Sequence, residues 1–278
     1  MNDAFITAVN TSKVSMDWMD QIVYNMANLY TPGFKEIKAN FKTHLDGVAL
    51  EDETVNVDQG KSFPGTSPEN IYLEGKGYFL TKKPDGTIMY TRRGEFSFDG
   101  EGVYKSKDGY TVQGYLLNDK GEQLGTPAAQ GKDPNTASPV EGGPATQATS
   151  DIKLWIDPSN GKYLGKYEEW EIKEDGILYG KAKDGKLKVP LYKIAINNFH
   201  NPAGLTNMMS DYYMESDLSG KPVMGRGDVR AGLIELSNSS LRDSVVALNQ
   251  AKLQIQMSQK VITNTKQLLD QTVSLLNS

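Results

Sequence analysis

Residues 241–276 read LRDSVVALNQAKLQIQMSQKVITNTKQLLDQTVSLL, and in them Leu241, Leu248, Ile255, Ile262, Leu269 and Leu276 recur at every seventh position. Val245, Leu253, Val261, Leu268, Val273 and Leu275 widen this line into a stripe, the pattern of an amphipathic helix. Neither Gly nor Pro interrupts Ser237 to Ser278, and Asn238, Ser239 and Ser240 stand just ahead as candidate N-caps. At ~1.5 Å per residue such a helix reaches about 54 Å, long enough to need a partner along its length. Lys252, Gln259 and Lys266 fall on the other seam position, so a two-stranded pairing buries too little by itself, and neighbouring copies are expected to supply the rest.

The opening of the chain repeats the theme. Phe5, Val9, Ser12, Met16, Met19, Val23 and Met26 follow one another at spacings of four and three, with Ala8 and Ile22 beside them. This helix stops at Thr31-Pro32-Gly33, where proline disfavours helical geometry in Thr31 and glycine allows a turn. The link is expected to set the direction in which the first helix leaves the rest of the chain. A change at Gly33 is accordingly expected to disturb assembly while sparing the melting temperature.

Between the two helices the texture changes to short apolar and aromatic runs. Ile71–Leu73, Tyr78–Leu80, Ile88–Tyr90, Phe96–Phe98 and Tyr110–Val112 are separated by Asp85-Gly86, Asp99-Gly100 and Asp108-Gly109, which reads as an antiparallel meander. Ile152–Ile156, Trp170–Ile172, Ile177–Tyr179, Leu187–Val189 and Ile194–Ile196 form a second set. Gly121 to Ser150, rich in Gly, Pro, Ala and Thr, reads as a linker or surface loop, and Glu51 to Pro68 as a shorter irregular stretch. The expected fold class is α+β: terminal helices paired as a coiled-coil-like domain, with a β-rich body inserted between them. Its parts are residues 1–34, a body over 35–234, and residues 235–278.

Composition removes several classes of function. Thirty Lys plus Arg against 35 Asp plus Glu leave a net charge of -5, which argues against nucleic acid as a partner. There is no cysteine, hence no thiolate chemistry and no Cys-ligated metal. No run of apolar residues is long enough to span a bilayer, and the polar opening Met1–Lys13 lacks the form of a cleaved signal peptide. The two histidines, His44 and His200, have no second ligand or serine at a telling spacing. Asp157–Gly161 lacks the ligands of a calcium loop, Gly75-Lys76-Gly77 lacks the third glycine of a dinucleotide turn, and Glu168, Glu169 and Glu171 read as a solvated strand edge. Arg226-Gly227-Asp228 matches an adhesive tripeptide but is too short to weigh. No catalytic residue, cofactor or metal is expected. A secreted adhesin or carbohydrate-binding β module would need an aromatic platform, for which Trp155, Trp170 and Tyr179 are the candidates.

A more specific pattern lies in Asn25-Met26-Ala27-Asn28-Leu29-Tyr30-Thr31-Pro32-Gly33-Phe34-Lys35, which resembles the signature that follows the first helix in bacterial flagellar rod and hook proteins. Gly75–Phe79, Asp85–Thr87 and Tyr90–Phe96 resemble the same family's body motifs, as do Phe199–Leu205 and Ser219–Pro222 further on. Gly232–Asn238, with Glu235, Ser237 and Asn238, is similar to its approach to the last helix. Two departures blur the subtype: Gln250-Ala251-Lys252-Leu253 replaces the usual element of the last helix, and Ser67–Leu73 replaces the usual lead into the glycine pair. The resemblance implies a subunit exported by the flagellar type III apparatus without a cleaved signal. It implies a homo-oligomer in a helical assembly, in contact with other rod and hook proteins. The distal-rod type in the periplasm-spanning basal body is expected, with a short hook subunit as the alternative. The expected assembly surface is Phe5, Val9, Met16, Met19, Val23 and Met26 with Leu241, Val245, Leu248, Ile255, Ile262, Leu269 and Leu276.

Overall fold

The computed structural model describes residues 2–44, 47–118, 120–123, 149–154, 169–181, 188–209 and 211–276. Helix α1 (Asn2–Ala27) is followed by a hairpin of two long strands, β1 (Ile37–His44) and β2 (Gly47–Val55). Next come β3 (Ser62–Pro64), β4 (Ile71–Glu74), β5 (Tyr78–Lys82), β6 (Ile88–Thr91), β7 (Phe96–Phe98), β8 (Tyr104–Ser106) and β9 (Thr111–Leu116). The short β10 (Ser150–Asp151) precedes β11 (Glu169–Ile172), β12 (Ile177–Lys181), β13 (Lys188–Ile194) and β14 (Ile196–Asn198). A 3-10 turn at Pro202–Gly204 leads to β15 (Thr206–Met209), β16 (Tyr212–Met214), β17 (Val223–Met224), β18 (Asp228–Ala231) and β19 (Leu233–Glu235). Helix α2 (Leu241–Leu276) ends the described chain, and Ser240 caps it by accepting the Asp243 N–H at 3.4 Å.

Contacts divide the chain into two units. One holds residues 1–30, 35–58 and 238–278, in which the two terminal helices touch each other and α1 also packs on the β1–β2 hairpin. The other holds residues 31–34 and 59–237. Residues 35–58, which the sequence reading groups with the body, therefore cluster with the helices.

All strand pairings of the body are antiparallel, and its main sheet runs β11-β12-β13-β9-β5-β6-β16-β15. Strand β9 is the hub, bonded to β5, β8, β10 and β13. Fully buried Ile71, Leu73, Phe79, Phe96, Val112 and Val229 anchor the core, and the rings of Phe79, Phe96 and Tyr104 meet edge-on at 5.6 and 5.5 Å. Asp85-Gly86 turns the β5–β6 hairpin as its composition implies, with Gly86 at φ +88° and the Thr87 N–H donating to Asp85 Oδ1 at 2.8 Å.

Three expectations fail here. Glu51–Pro68 is not irregular throughout, because β2 runs to Val55 and β3 occupies Ser62–Pro64. Ile194–Ile196 is not one strand: β13 pairs with β9 and β14 with β5, so the chain changes partner at buried Ala195. Ile152 lies outside a strand, with β10 ending at Asp151 and an isolated bridge at Lys153. Trp155, Ile156, Asp157–Gly161, Glu168, Leu187 and residues 124–148 of the expected loop lie outside the described residues.

Candidate assembly surface and its anchors

Apart from Ile22, the line of buried residues on the two helices consists of small side chains. On α1 it runs through Ala8, Ser15 and Ile22, and on α2 through Ser244, Ala251, Ser258 and Thr265, each step being seven residues. Small residues let two backbones approach closely, and buried hydroxyls are tolerated where the helix itself accepts their protons. Ser15 Oγ donates to Thr11 O at 2.7 Å and Thr265 Oγ1 to Val261 O at 2.8 Å. With α1 at 26 residues against 36 for α2, no residue of α2 from Lys266 to Leu275 is buried.

The large apolar side chains of the expected stripe stand beside this line, not on it. Phe5, Val9, Met16 and Val23 are exposed, while Met19 and Met26 are partly buried. Leu241, Val245 and Leu269 are exposed, Leu248, Ile255 and Ile262 partly buried, and the Leu276 side chain lies outside the described residues. Leu248, Ile255, Ile262 and Leu269 each sit four residues after a buried position, whereas Val261 and Leu268 sit three after one. Positions three and four apart flank a common line, so α2 carries apolar surface on both sides of its seam. Lys252, Gln259 and Lys266, read from sequence as seam residues, are exposed. Exposed Ile6, Tyr24, Val246 and Met257 extend the apolar surface and were not singled out by the heptad count.

The motif residues do a different task. In the helical unit, buried Asn25 forms a reciprocal pair with Ile37, its amide donating to Ile37 O at 2.7 Å and its carbonyl accepting the Ile37 N–H at 3.0 Å. That pair fixes the end of α1 to the start of β1. Asn238 Nδ2 donates to Asn56 O and Asp58 O, both at 2.8 Å, and its Oδ1 accepts the Glu36 N–H at 2.7 Å. Lys35, almost fully buried, donates from Nζ to Asp58 O at 2.6 Å. Asn28 caps the last turn of α1 by donating to Tyr24 O at 2.9 Å, and Ala27 is exposed.

In the body, Gly33 and Glu235 meet: the Gly33 N–H donates to Glu235 O at 2.8 Å. Gly33 has φ +74°, and a Cβ there would stand 2.4 Å from Arg93 N, so only glycine fits. Phe34 is fully buried, and Thr31, Pro32 and Ser237 are partly buried. The Glu235 carboxylate accepts the Gly60 N–H at 2.8 Å and lies 3.6 Å from Arg92, both side chains being buried. Arg92 also donates to Leu73 O at 3.1 Å and to Gly75 O. The expectation that Gly33 can change without cost to the body is therefore wrong, since its neighbour is backbone and not a loose link.

A second charged cluster surrounds Arg93, whose guanidinium reaches Glu95 at 3.2 Å, Asp108 at 3.2 Å and Asp211 at 3.1 Å. Lys107 pairs with Glu95 at 2.6 Å, and the Tyr212 hydroxyl donates to Asp108 at 2.9 Å. Burial raises the Asp211 carboxyl to about 6, against the pull of Arg93 and with a push from Asp108. Among the described residues no group of three or more side chains is arranged to hold a metal. No described helix is long and apolar enough to cross a membrane. Trp170 packs on Phe98 at 5.4 Å against the core, and Tyr179 lies 4.4 Å beneath the Lys173 ammonium. Glu169 and Glu171 are exposed and paired with Lys181 and Lys188.

Residues 72–179 match the model of the flagellar hook protein FlgE/F/G D1 domain. The flagellar basal-body rod protein FlgG of Buchnera aphidicola subsp. Baizongia pistaciae is 25% identical, over 93% of this chain and 93% of its own. FlgG of Borreliella burgdorferi is 25% identical over 97% of each. The flagellar hook protein FlgE of the same organism is 31% identical over 42% of this chain and 28% of its own. The likeness to flagellar rod and hook proteins that the motifs carry is thus present in the body and, at low identity, over most of the length.

Proposed function

We propose that this chain, with an FlgE/F/G D1 domain in its body and FlgG rod proteins as full-length relatives, is a structural subunit that polymerises into the flagellar rod. The observation that carries the reading is the placement of apolar side chains on the two helices. Small residues close the contact within one chain, while Val23, Leu241, Leu253 and their neighbours remain in solvent. Exposed apolar surface of this extent is characteristic of an interaction site. A heterologous contact that repeats without closing generates a helical filament, and two apolar flanks on one helix give each copy neighbours on both sides.

On this reading the helices make the inner wall of an axial tube, paired as a coiled-coil-like domain, and the body makes the outer wall. The tube transmits torque and encloses the export channel. Its partners are further copies, adjoining rod and hook proteins and the type III export apparatus that delivers the chain, and its place is the basal body. It performs no catalysis. The rod is favoured over the hook because the likeness to FlgG runs the full length, whereas the match to FlgE takes in 28% of that protein.

Immunogold labelling of purified hook–basal bodies with antibody to the body unit tests the proposal. Label on the rod is the expected result; label confined to the hook favours the hook reading, and its absence from both removes the axial one.

A further inference from the structure

Leu218 is 78% exposed, although the loop that carries it is pinned by hydrogen bonds. Ser219 is fully buried and its Oγ accepts the Ser216 N–H at 2.9 Å, while the Ser216 Oγ accepts the N–H groups of Leu218 and Ser219, both at 3.1 Å. Ser216 in turn donates to Gly204 O at 2.5 Å and Asn201 Nδ2 to Leu218 O at 3.1 Å, which ties the loop to the 3-10 turn. A large apolar side chain on a loop already fixed needs little further ordering when it is covered, which is the property of a docking anchor. Beside it, Asp217 is exposed and has no ion pair among the described residues, whereas Lys221 is bound to Glu215 at 2.8 Å.

Among its described residues the body exposes three other large apolar side chains, Phe63, Ile88 and Met208. Ile88 lies opposite Lys82, whose ammonium is taken by Asp151 at 2.7 Å, and the neighbouring Lys83 ammonium stands over the Tyr110 ring. Strands β15 and β16 bring no cation to Met208. Phe63 differs. The Leu236 N–H donates to Lys61 O at 2.9 Å, which carries the β3–β19 pairing back to Lys61 and sets Lys61 and Phe63 on one side of the ribbon. Both are exposed, and the Lys61 ammonium has no ion pair among the described residues. An apolar residue beside a free carboxylate and an apolar residue beside a free ammonium are complementary surfaces. We propose that the Asp217–Leu218 tip docks on Lys61 and Phe63 of a second copy, the leucine on the ring and the carboxylate against the ammonium. The two surfaces differ, so the contact is heterologous and each docked copy still offers one of them to the next. The inference rests on the assembly reading.

The chain has no cysteine, so an introduced pair reports the contact without background. Leu218→Cys with Phe63→Cys, expressed in cells lacking the native copy, is expected to give a ladder of disulfide-linked copies in purified axial structures after mild oxidation. Either change alone is expected to give none. In the full-length chain without cysteines, Asp217→Lys is expected to lower incorporation into the axis by about threefold, and Lys61→Asp added to it to restore the native amount. Should the cysteine pair fail to enter the axis, the charge exchange decides alone. An incorporated cysteine pair that gives no ladder, or one that stops at the dimer, overturns the docking, as does failure of Lys61→Asp to rescue Asp217→Lys. Absence of the unaltered chain from the axis instead removes the assembly reading, and the docking with it.

Discussion

Gly33 shows how much one residue carries in this chain. Its left-handed backbone and its 2.4 Å approach to Arg93 N mean that Gly33→Ala meets both conformational strain and a backbone collision. We expect a loss of at least ~2 kcal/mol in the body, measured as a lower denaturant midpoint; an unchanged midpoint contradicts the packing described. Asp211 makes a prediction of opposite sense to ordinary acid unfolding. Its carboxyl sits at about 6 when folded and near the usual carboxylate value of 3.8 when unfolded, so folding takes up a proton between those values. The stability that it contributes is full below 3.8 and is lost as pH rises through 6. Asp211→Asn should therefore remove a component on the order of 2 kcal/mol from the difference in stability between pH 4 and pH 7. Glu95, Asp108, Lys107 and Tyr212 surround the pair, so comparison with the native chain, pH by pH, isolates the Asp211 part. Matching profiles would show that Asp211 is not desolvated as placed. The motif around Gly33 was legible as a family mark, whereas the Arg93 backbone that makes glycine obligatory comes from a distant stretch of chain.

For the elements, the period of both helices was readable and the phase was not. Leu and Ile at sevens draw the reading to themselves, yet the buried line is made by Ala8, Ser15, Ser244, Ala251 and Ser258, which hydropathy ranks as indifferent. A second seven-residue series of small residues was the available signal. The β1–β2 hairpin escaped for another reason: Glu51, Asp52 and Glu53 look like loop, but a two-stranded ribbon needs little apolar alternation. Seam and flank can be separated experimentally. Ala251 is fully buried, so Ala251→Leu overpacks the helix contact and should cost ~1–3 kcal/mol, seen as loss of helical circular dichroism at lower temperature. Leu253→Glu, on an exposed position, should change monomer stability by no more than ~0.5 kcal/mol. Equal melting of the two variants would place the seam elsewhere.

At the scale of the whole molecule, the division into units predicts where a protease stops. With residues 35–58 clustered on the helices, removal of α1 and α2 leaves the hairpin without its support, so the resistant fragment of dilute monomer should begin near Gln59. A fragment beginning near Lys35, where the sequence reading put the start of the body, would mean that the hairpin is stable without the helices. On the proposed function, apolar side chains outside the seam join copies into an axis. Its most direct test is incorporation of Leu253→Glu into flagellar axial structures purified from cells lacking the native copy, with Lys252→Gln beside it as the control. Lys252→Gln is expected to be incorporated, and Leu253→Glu, folded and exported at native levels, to be absent. Leu253→Glu present in the purified axis at the native amount would contradict it.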